Sequence, residues 1–190
     1  MSETVRTFIA IELPPAVRQF LSDCQDRLRR ASADVKWVRP DLIHLTLVFL
    51  GDVPADMQAD LEAAVREAAA GFGPIQLQVT GAGRFPPKGL PRVIWIGVSE
   101  TSGSLMRLQQ VAAKATAAFA EKVEDRAYTA HLTLGRVRSG QNARDLVGML
   151  DAMASTGPAF EAREVTIFRS DLSPQGPTYT PLAKIALGKG

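Results

Sequence analysis

A chain of 190 residues with 46% hydrophobic and 22% charged side chains has enough apolar material for one domain with a real core, or for two small lobes sharing one. A formal charge of +2, with no Lys/Arg run longer than Arg29-Arg30, speaks against the clustered basic stripe of a strong nucleic-acid binder while leaving a polyanionic substrate open. The single Cys24 excludes an internal disulfide and most cysteine-built metal sites, and no cationic start leads into a long apolar stretch, so a protein without membrane span in a reducing cytoplasm is expected.

Elements follow one another in two similar rounds. Thr7 to Leu13 predicts a strand. Pro14-Pro15 then opens a helix with Val17, Phe20, Leu21, Cys24 and Leu28 on one face. His44 to Phe49 predicts a second strand. Pro54 opens a second helix, with Met57, Leu61, Val65 and Ala68 inward and Gly71 as its stop, and Ile75 to Thr80 predicts a third strand. A Gly/Pro-rich connection from Gly81 to Pro91 leads into the second round. Val93 to Val98 predicts an apolar strand, and Leu105, Leu108, Val111, Ala115 and Phe119 mark a helix. A strand around His131 follows, then a helix with Asn142 at its N-cap and Leu146, Val147, Leu150 and Met153 on one face. Glu164 to Phe168 and Leu182 to Leu187 predict the last strands. The expected architecture is α+β: two pseudo-two-fold-related lobes, each a mainly antiparallel sheet backed by helices, around a central cleft. The connection at 81–91 is too short for a linker, so residues 1–190 are read as a single bilobal domain.

The chain has only two histidines, and each opens the same tetrapeptide: His44-Leu45-Thr46-Leu47 and His131-Leu132-Thr133-Leu134, 87 positions apart (131 − 44). Side chains of a strand alternate between faces, so each copy puts an imidazole and a hydroxyl on one face and two leucines on the other. The leucines anchor the strand in a core, and threonine, stiff at χ1, aims its hydroxyl at little entropic cost. Two such strands facing one point suit a tetrahedral, oxygen-rich anion. One imidazole would take a proton from a nucleophile while the other gives one to a leaving group. A lone histidine on a strand is more often structural; a repeated motif that uses up every histidine reverses that preference. Zinc would need carboxylates to complete a site with only two imidazoles, and ranks below acid–base chemistry. No cofactor and no metal are expected.

Other candidates carry less. Alternation puts Val48 on the face of His44 and Thr46, and puts Phe49 and Arg136 on the opposite faces of their strands unless a bulge intervenes. Phe49 is therefore read as core, and Arg136 is left open. Gly83 to Gly89 is read first as a solvated loop, although its Arg84, Lys88 and Phe85 would suit a phosphate and a stacked base. Trp37 and Trp95 are read as core aromatics. Arg39, Arg92 and Arg169 have no motif to distinguish them.

The paired H-x-T-x motifs, the opening Phe8-Ile9-Ala10-Ile11-Glu12-Leu13-Pro14 and the run from His44 to Gly51 resemble the two-histidine phosphoesterase superfamily. More closely, they are similar to its RNA 2′,3′-cyclic phosphodiesterases, first described as 2′-5′ RNA ligases. Arg92-Val93-Ile94-Trp95, His131 to Arg136, Ser170-Asp171-Leu172 and Tyr179 extend the resemblance over nearly the whole chain. It implies metal-independent opening of an RNA 2′,3′-cyclic phosphate end to a 2′-phosphate. His44 would be proton donor, His131 proton acceptor, and Thr46 and Thr133 the phosphate-binding pair. It also implies RNA ends as partner, no obligatory protein partner, and a reverse 2′-5′ ligation. The chain departs from that pattern at Val48, where relatives often carry a basic residue, and at Ala130, where they often carry proline. From the residues alone, a cyclic phosphodiesterase for small nucleotide metabolites and a non-catalytic RNA-end binding module remain alternatives.

Overall fold

The computed structural model describes residues 3–122, 124, 126–153 and 156–188. Its strands are β1 (Thr4–Ile11), β2 (Val35–Trp37), β3 (Leu45–Pro54), β4 (Ile75–Phe85), β5 (Val93–Ser99), β6 (His131–Val137), β7 (Thr156–Ala162), β8 (Glu164–Ser173) and β9 (Gly176–Ala186). Its helices are α1 (Pro15–Arg29), α2 (Gln58–Ala70), α3 (Ser104–Ala115) and α4 (Ala143–Asp151). The first sheet has the order β3-β1-β8-β9 and the second β2-β6-β5-β4-β7, with every pairing antiparallel.

The lobes are not the two halves of the chain. In the first half, β1 and β3 lie in the first sheet and α2 packs beside β9, whereas α1 packs on β7 and β4 joins the second sheet. In the second half, β5 and β6 lie in the second sheet with α4 against β4, whereas α3 packs on β3 and β8 joins the first sheet. Each half thus contributes its first helix and its closing strand to the opposite lobe. The α+β, two-sheet, four-helix architecture agrees with the expectation, and the exchange is what a linear reading of the pattern leaves out.

Local chemistry explains most boundaries. Proline at the first turn of α1 gives up an N–H that has no helical partner. Val17, Leu21, Cys24 and Leu28 are buried from that helix, as their spacing requires. Gly71 caps α2. Asn142 does precede α4, but in a left-handed conformation, and its side-chain amide donates to the Ser32 carbonyl at 3.0 Å instead of capping the helix. The short strands β2 and β7 lie outside every predicted element. β2 has three residues, too few for a visible alternation, and it exists because it pairs with β6.

One continuous core runs through both lobes. Ile9, Ile11, Leu45 and Leu47 from the first sheet join Ile94, Ile96, Leu132 and Leu134 from the second, with helix residues such as Leu21, Leu61, Leu108 and Leu146. Trp37 packs against this core with the Arg29 guanidinium 4.8 Å from its ring. Among the described residues no helix is long and apolar enough to cross a membrane.

Candidate active site

Leu45, Leu47, Leu132 and Leu134 are buried, while His44, Thr46, His131 and Thr133 are half-buried on the other face of their strands. The alternation read from the tetrapeptide holds in both copies. β3 and β6 come into contact with each other. A hydrogen bond joins the two motif segments: the Tyr128 hydroxyl, three residues before His131, donates to the Thr46 carbonyl at 3.0 Å.

Both imidazoles are held in the same way. His44 Nδ1 lies 2.8 Å from the Leu42 carbonyl and His131 Nδ1 lies 2.7 Å from the Thr129 carbonyl, in each case two residues earlier. A carbonyl oxygen only accepts, so each Nδ1 carries the proton and donates. That leaves Nε2 as the available nitrogen: a bare lone pair in the neutral ring, an N–H donor in the charged one.

Each histidine also has an aromatic setting from its own sheet. The Phe8 ring stacks on His44 with centroids 4.7 Å apart, and Tyr179 meets it edge-on at 5.2 Å. Phe85 meets His131 edge-on at 5.1 Å, with Trp95 at 6.0 Å. Burial pushes the His44 pKa below its ordinary value. The hydrogen bond to Leu42 works against this, and the nearby His131 adds to it.

Two β-bulges change the reading of the neighbours. On β3, Ala10 faces Thr46 but Ile9 faces Val48, so Leu47 is an extra residue. On β6, Trp95 faces Thr133 but Ile94 faces Gly135, so Leu134 is an extra residue at the equivalent place. The parity of each strand flips after its tetrapeptide. Val48, expected in the cleft, lies opposite Ile9 and packs against the core. Phe49, expected in the core, lies opposite Phe8 on the cleft side and is 48% exposed, with the Arg6 guanidinium 4.8 Å from its ring. Arg136 lies opposite Val93 and Lys36, on the face of His131 and Thr133. Glycine suits position 135, because a Cβ there would meet Val35 Cγ1 at 2.6 Å and force β2 to shift.

Trp95 and Phe85 depart from expectation as well. Trp95, expected in the core, stands on the cleft face opposite Thr133 and lies over Gly83, whose missing side chain makes room for the indole. Gly83, Arg84 and Phe85 belong to β4 rather than to a loop. Phe85 turns toward His131, and Arg84 turns the other way to pair with Asp151 of α4 at 2.7 Å. Period-two alternation inside β4 carries that signal once the strand is known to run to 85. Among the described residues neither Arg6 nor Arg136 has an acidic partner, and both bring positive charge to Tyr179, whose phenol burial pushes up. Arg39 and Arg169 are neutralised by Asp41 and Asp171.

A recess of about 180 Å3 opens against His44 and is lined also by Glu12, Arg18, Asp41, Phe168 and Tyr179. A larger depression of about 470 Å3 lies on α2 among Ala59, Glu62, Ala63 and Arg66 and has no imidazole, hydroxyl or aromatic group. The smaller one is therefore the recess that adjoins a candidate acid–base group. Among the described residues, no group of three or more His, Cys, Asp and Glu side chains is placed to hold a metal ion. What the cleft offers is a pair of imidazoles with free Nε2 positions, two hydroxyls and two unneutralised arginines, suited to acid–base work on a phosphoryl group.

Comparison with known proteins agrees. The family described as LigT like Phosphoesterase matches the chain twice, over residues 11–95 and 96–179, one tetrapeptide in each match. A Methanothermobacter thermautotrophicus protein named RNA 2′,3′-cyclic phosphodiesterase is 35% identical over 94% of this chain and 96% of its own. An Archaeoglobus fulgidus protein of the same name is 34% identical over 94% of this chain and 98% of its own. Among solved structures, a Thermus thermophilus protein superposes with a TM-score of 0.81 at 28% identity, covering 97% of this chain and 98% of that one. E. coli LigT complexed with 3′-AMP superposes at 0.78 with 23% identity, covering 97% and 99%, a likeness of fold. This chain belongs to the LigT-like phosphoesterases of the two-histidine superfamily.

Proposed function

We propose that the protein, acting through residues 1–190 as one bilobal unit in the cytoplasm, opens the 2′,3′-cyclic phosphate at RNA ends to a 2′-phosphate. Thr46 and Thr133 donate their hydroxyls to the non-bridging phosphoryl oxygens. His131 Nε2 takes a proton from water as its oxygen bonds to phosphorus. His44 Nε2–H gives its proton to the 3′ oxygen as the P–O3′ bond breaks. His131 ends protonated and His44 neutral, and proton exchange with solvent resets both. With an RNA 5′-hydroxyl in place of water as the nucleophile, the same steps form a 2′-5′ linkage.

The observation carrying this reading is the matched restraint of the imidazoles: both Nδ1 atoms are committed to backbone carbonyls, so both Nε2 atoms are left for the substrate. Two features support His44 as donor. The stacked Phe8 ring favours the charged form of the imidazole it covers. Burial pushes the His44 pKa down, against a donor role, and a bound phosphate anion opposes that shift. The recess beside His44, with Phe168 and Tyr179 for stacking and Glu12 and Asp41 to accept from a base amine, offers a place for the nucleoside whose 3′ oxygen leaves. The relatives named RNA 2′,3′-cyclic phosphodiesterase support the substrate class.

The deciding experiment is turnover of a short RNA ending in a 2′,3′-cyclic phosphate, with EDTA present and the product isomer identified. The expected product is the 2′-phosphate. A 3′-phosphate would reverse the leaving oxygen and the roles built on it. No product, with retained binding of the RNA, would make the protein a reader of such ends. Turnover of small cyclic nucleotides alone would move the substrate class.

A further inference from the structure

The two bulges that turn Phe49 and Arg136 into the cleft are each held by a glutamine from a helix distant in sequence. Gln25 of α1 is 1% exposed, and its side-chain amide donates to the Leu134 carbonyl at 2.8 Å and to the Val38 carbonyl at 2.7 Å. The same Leu134 carbonyl also accepts from the Val38 N–H at 2.9 Å. Gln109 of α3 donates its side-chain amide to the Leu47 carbonyl at 3.4 Å. Leu47 and Leu134 are the extra residues of their bulges. An extra residue drops out of the ladder, and its backbone groups need partners from elsewhere when buried. Both glutamines come from the helices that each half contributes to the opposite lobe. The clamps are unequal: Gln25 is buried and makes two short bonds, Gln109 is half-buried and makes one long bond.

We propose that Gln25 is a positioning residue of the cleft, holding the bulge at Leu134 so that Arg136 faces the anionic substrate beside His131, with Gln109 as its weaker counterpart behind Phe49. Gln25 shares the Leu134 carbonyl with the Val38 N–H, so its clamp reinforces a register that pairing with β2 also favours. Without the bulge, alternation returns Arg136 to the face away from His131 and Thr133. Gln25 touches no substrate. It acts through the strand, and the side chain it positions is a cation without an acidic partner among the described residues, free to pair with phosphate. The inference rests on the reading of the cleft as a site for cyclic-phosphate RNA ends.

A double-mutant cycle tests it on the full chain with the short cyclic-ended RNA as substrate. Arg136→Ala is expected to raise KM by about tenfold with kcat little changed, the loss of one charge-assisted contact. Gln25→Met, of similar length but without donors, is expected to raise KM comparably. The double variant is expected to be no worse than Arg136→Ala, because the clamp has nothing left to position. Multiplied effects in the double variant would overturn the proposal, as would a fall in kcat at unchanged KM for Gln25→Met. If Gln25→Met does not fold, Gln25→Glu keeps the volume, and its buried carboxylic acid has one donor in place of two. Its KM is expected between wild type and Arg136→Ala, and a wild-type KM would refute the clamp. No turnover of the RNA by the wild-type protein would count against the function proposed above; non-coupled effects in an active enzyme would count against the clamp alone.

Discussion

The Tyr128 hydroxyl donates to the Thr46 carbonyl at 3.0 Å, tying the segment that leads into the second tetrapeptide to the strand of the first. Burial pushes the Tyr128 phenol up, so it remains a donor throughout the working pH range. The bond spans 82 positions of sequence and links the two histidine-bearing segments.

Tyr128→Phe removes that hydroxyl and little else. The expected cost is about 1 kcal/mol of stability, read as a drop of a few degrees in Tm. Activity on the cyclic-ended RNA is expected to fall by more than the unfolded fraction explains, because the two histidine-bearing strands lose a common tether. Unchanged kcat/KM in a folded variant would reduce the bond to a structural role.

His44→Ala and His131→Ala are each expected to lower kcat by about 10²–10⁴-fold, the usual worth of one general acid or base. The double variant should be little worse than either single one, since a one-sided proton transfer is already broken. Circular dichroism should show all three folded, the rings being half-buried at the cleft rather than within the core. Full activity in either single variant would remove that histidine from the mechanism.

The chain has two imidazoles, so proton NMR can follow each one separately. In the free protein His44 is expected to titrate below the ordinary value of about 6.5, because burial penalises its charged form. Added inorganic phosphate should move that titration upward, and by linkage phosphate should bind more tightly as pH falls. With a folded pKa below the unfolded one, the His44 contribution to stability is fully present above about pH 6.5. It is lost as pH falls through the depressed folded value. A His44 resonance that titrates above 6.5 without ligand would contradict the burial argument.

Thr46→Val and Thr133→Val keep the branched shape and remove the hydroxyl. Each is expected to weaken phosphate binding and to cut kcat/KM by about tenfold, with stability nearly unchanged. Isothermal titration with inorganic phosphate, beside steady-state kinetics, checks both. Wild-type affinity in both variants would leave the phosphoryl oxygens to other donors.

Gly135→Ala probes the bulge from the side of β2. A Cβ would meet Val35 Cγ1 at 2.6 Å and the Lys36 carbonyl at 3.3 Å, and forced overpacking of this kind costs about 1–3 kcal/mol. A lowered Tm together with faster amide exchange over 35–37 is the expected signature, whereas a wild-type melt would show that β2 yields freely.

Local repetition made the heart of the site legible. His44, Thr46, His131 and Thr133 could be placed on one face and their leucines on the other because strand alternation is a property of consecutive residues, and Leu45, Leu47, Leu132 and Leu134 are buried as that parity requires. The helix spacing of Val17, Leu21, Cys24 and Leu28 was readable for the same reason. Parity failed immediately past each tetrapeptide, at Val48, Phe49 and Arg136. The bulges there are stabilised by groups far along the chain; Gln25 reaches Leu134 across 109 positions. The contribution of α1 and α3 to opposite lobes, the pairing of the short β2 with β6, and the turning of Phe85 and Trp95 toward His131 are likewise products of long-range packing. From the sequence alone came which groups are the candidates for the chemistry and which face of a strand presents them. Only the tertiary structure decided what surrounds those groups, because a hydrogen bond or ring contact between distant segments leaves no periodic trace in the order of residues.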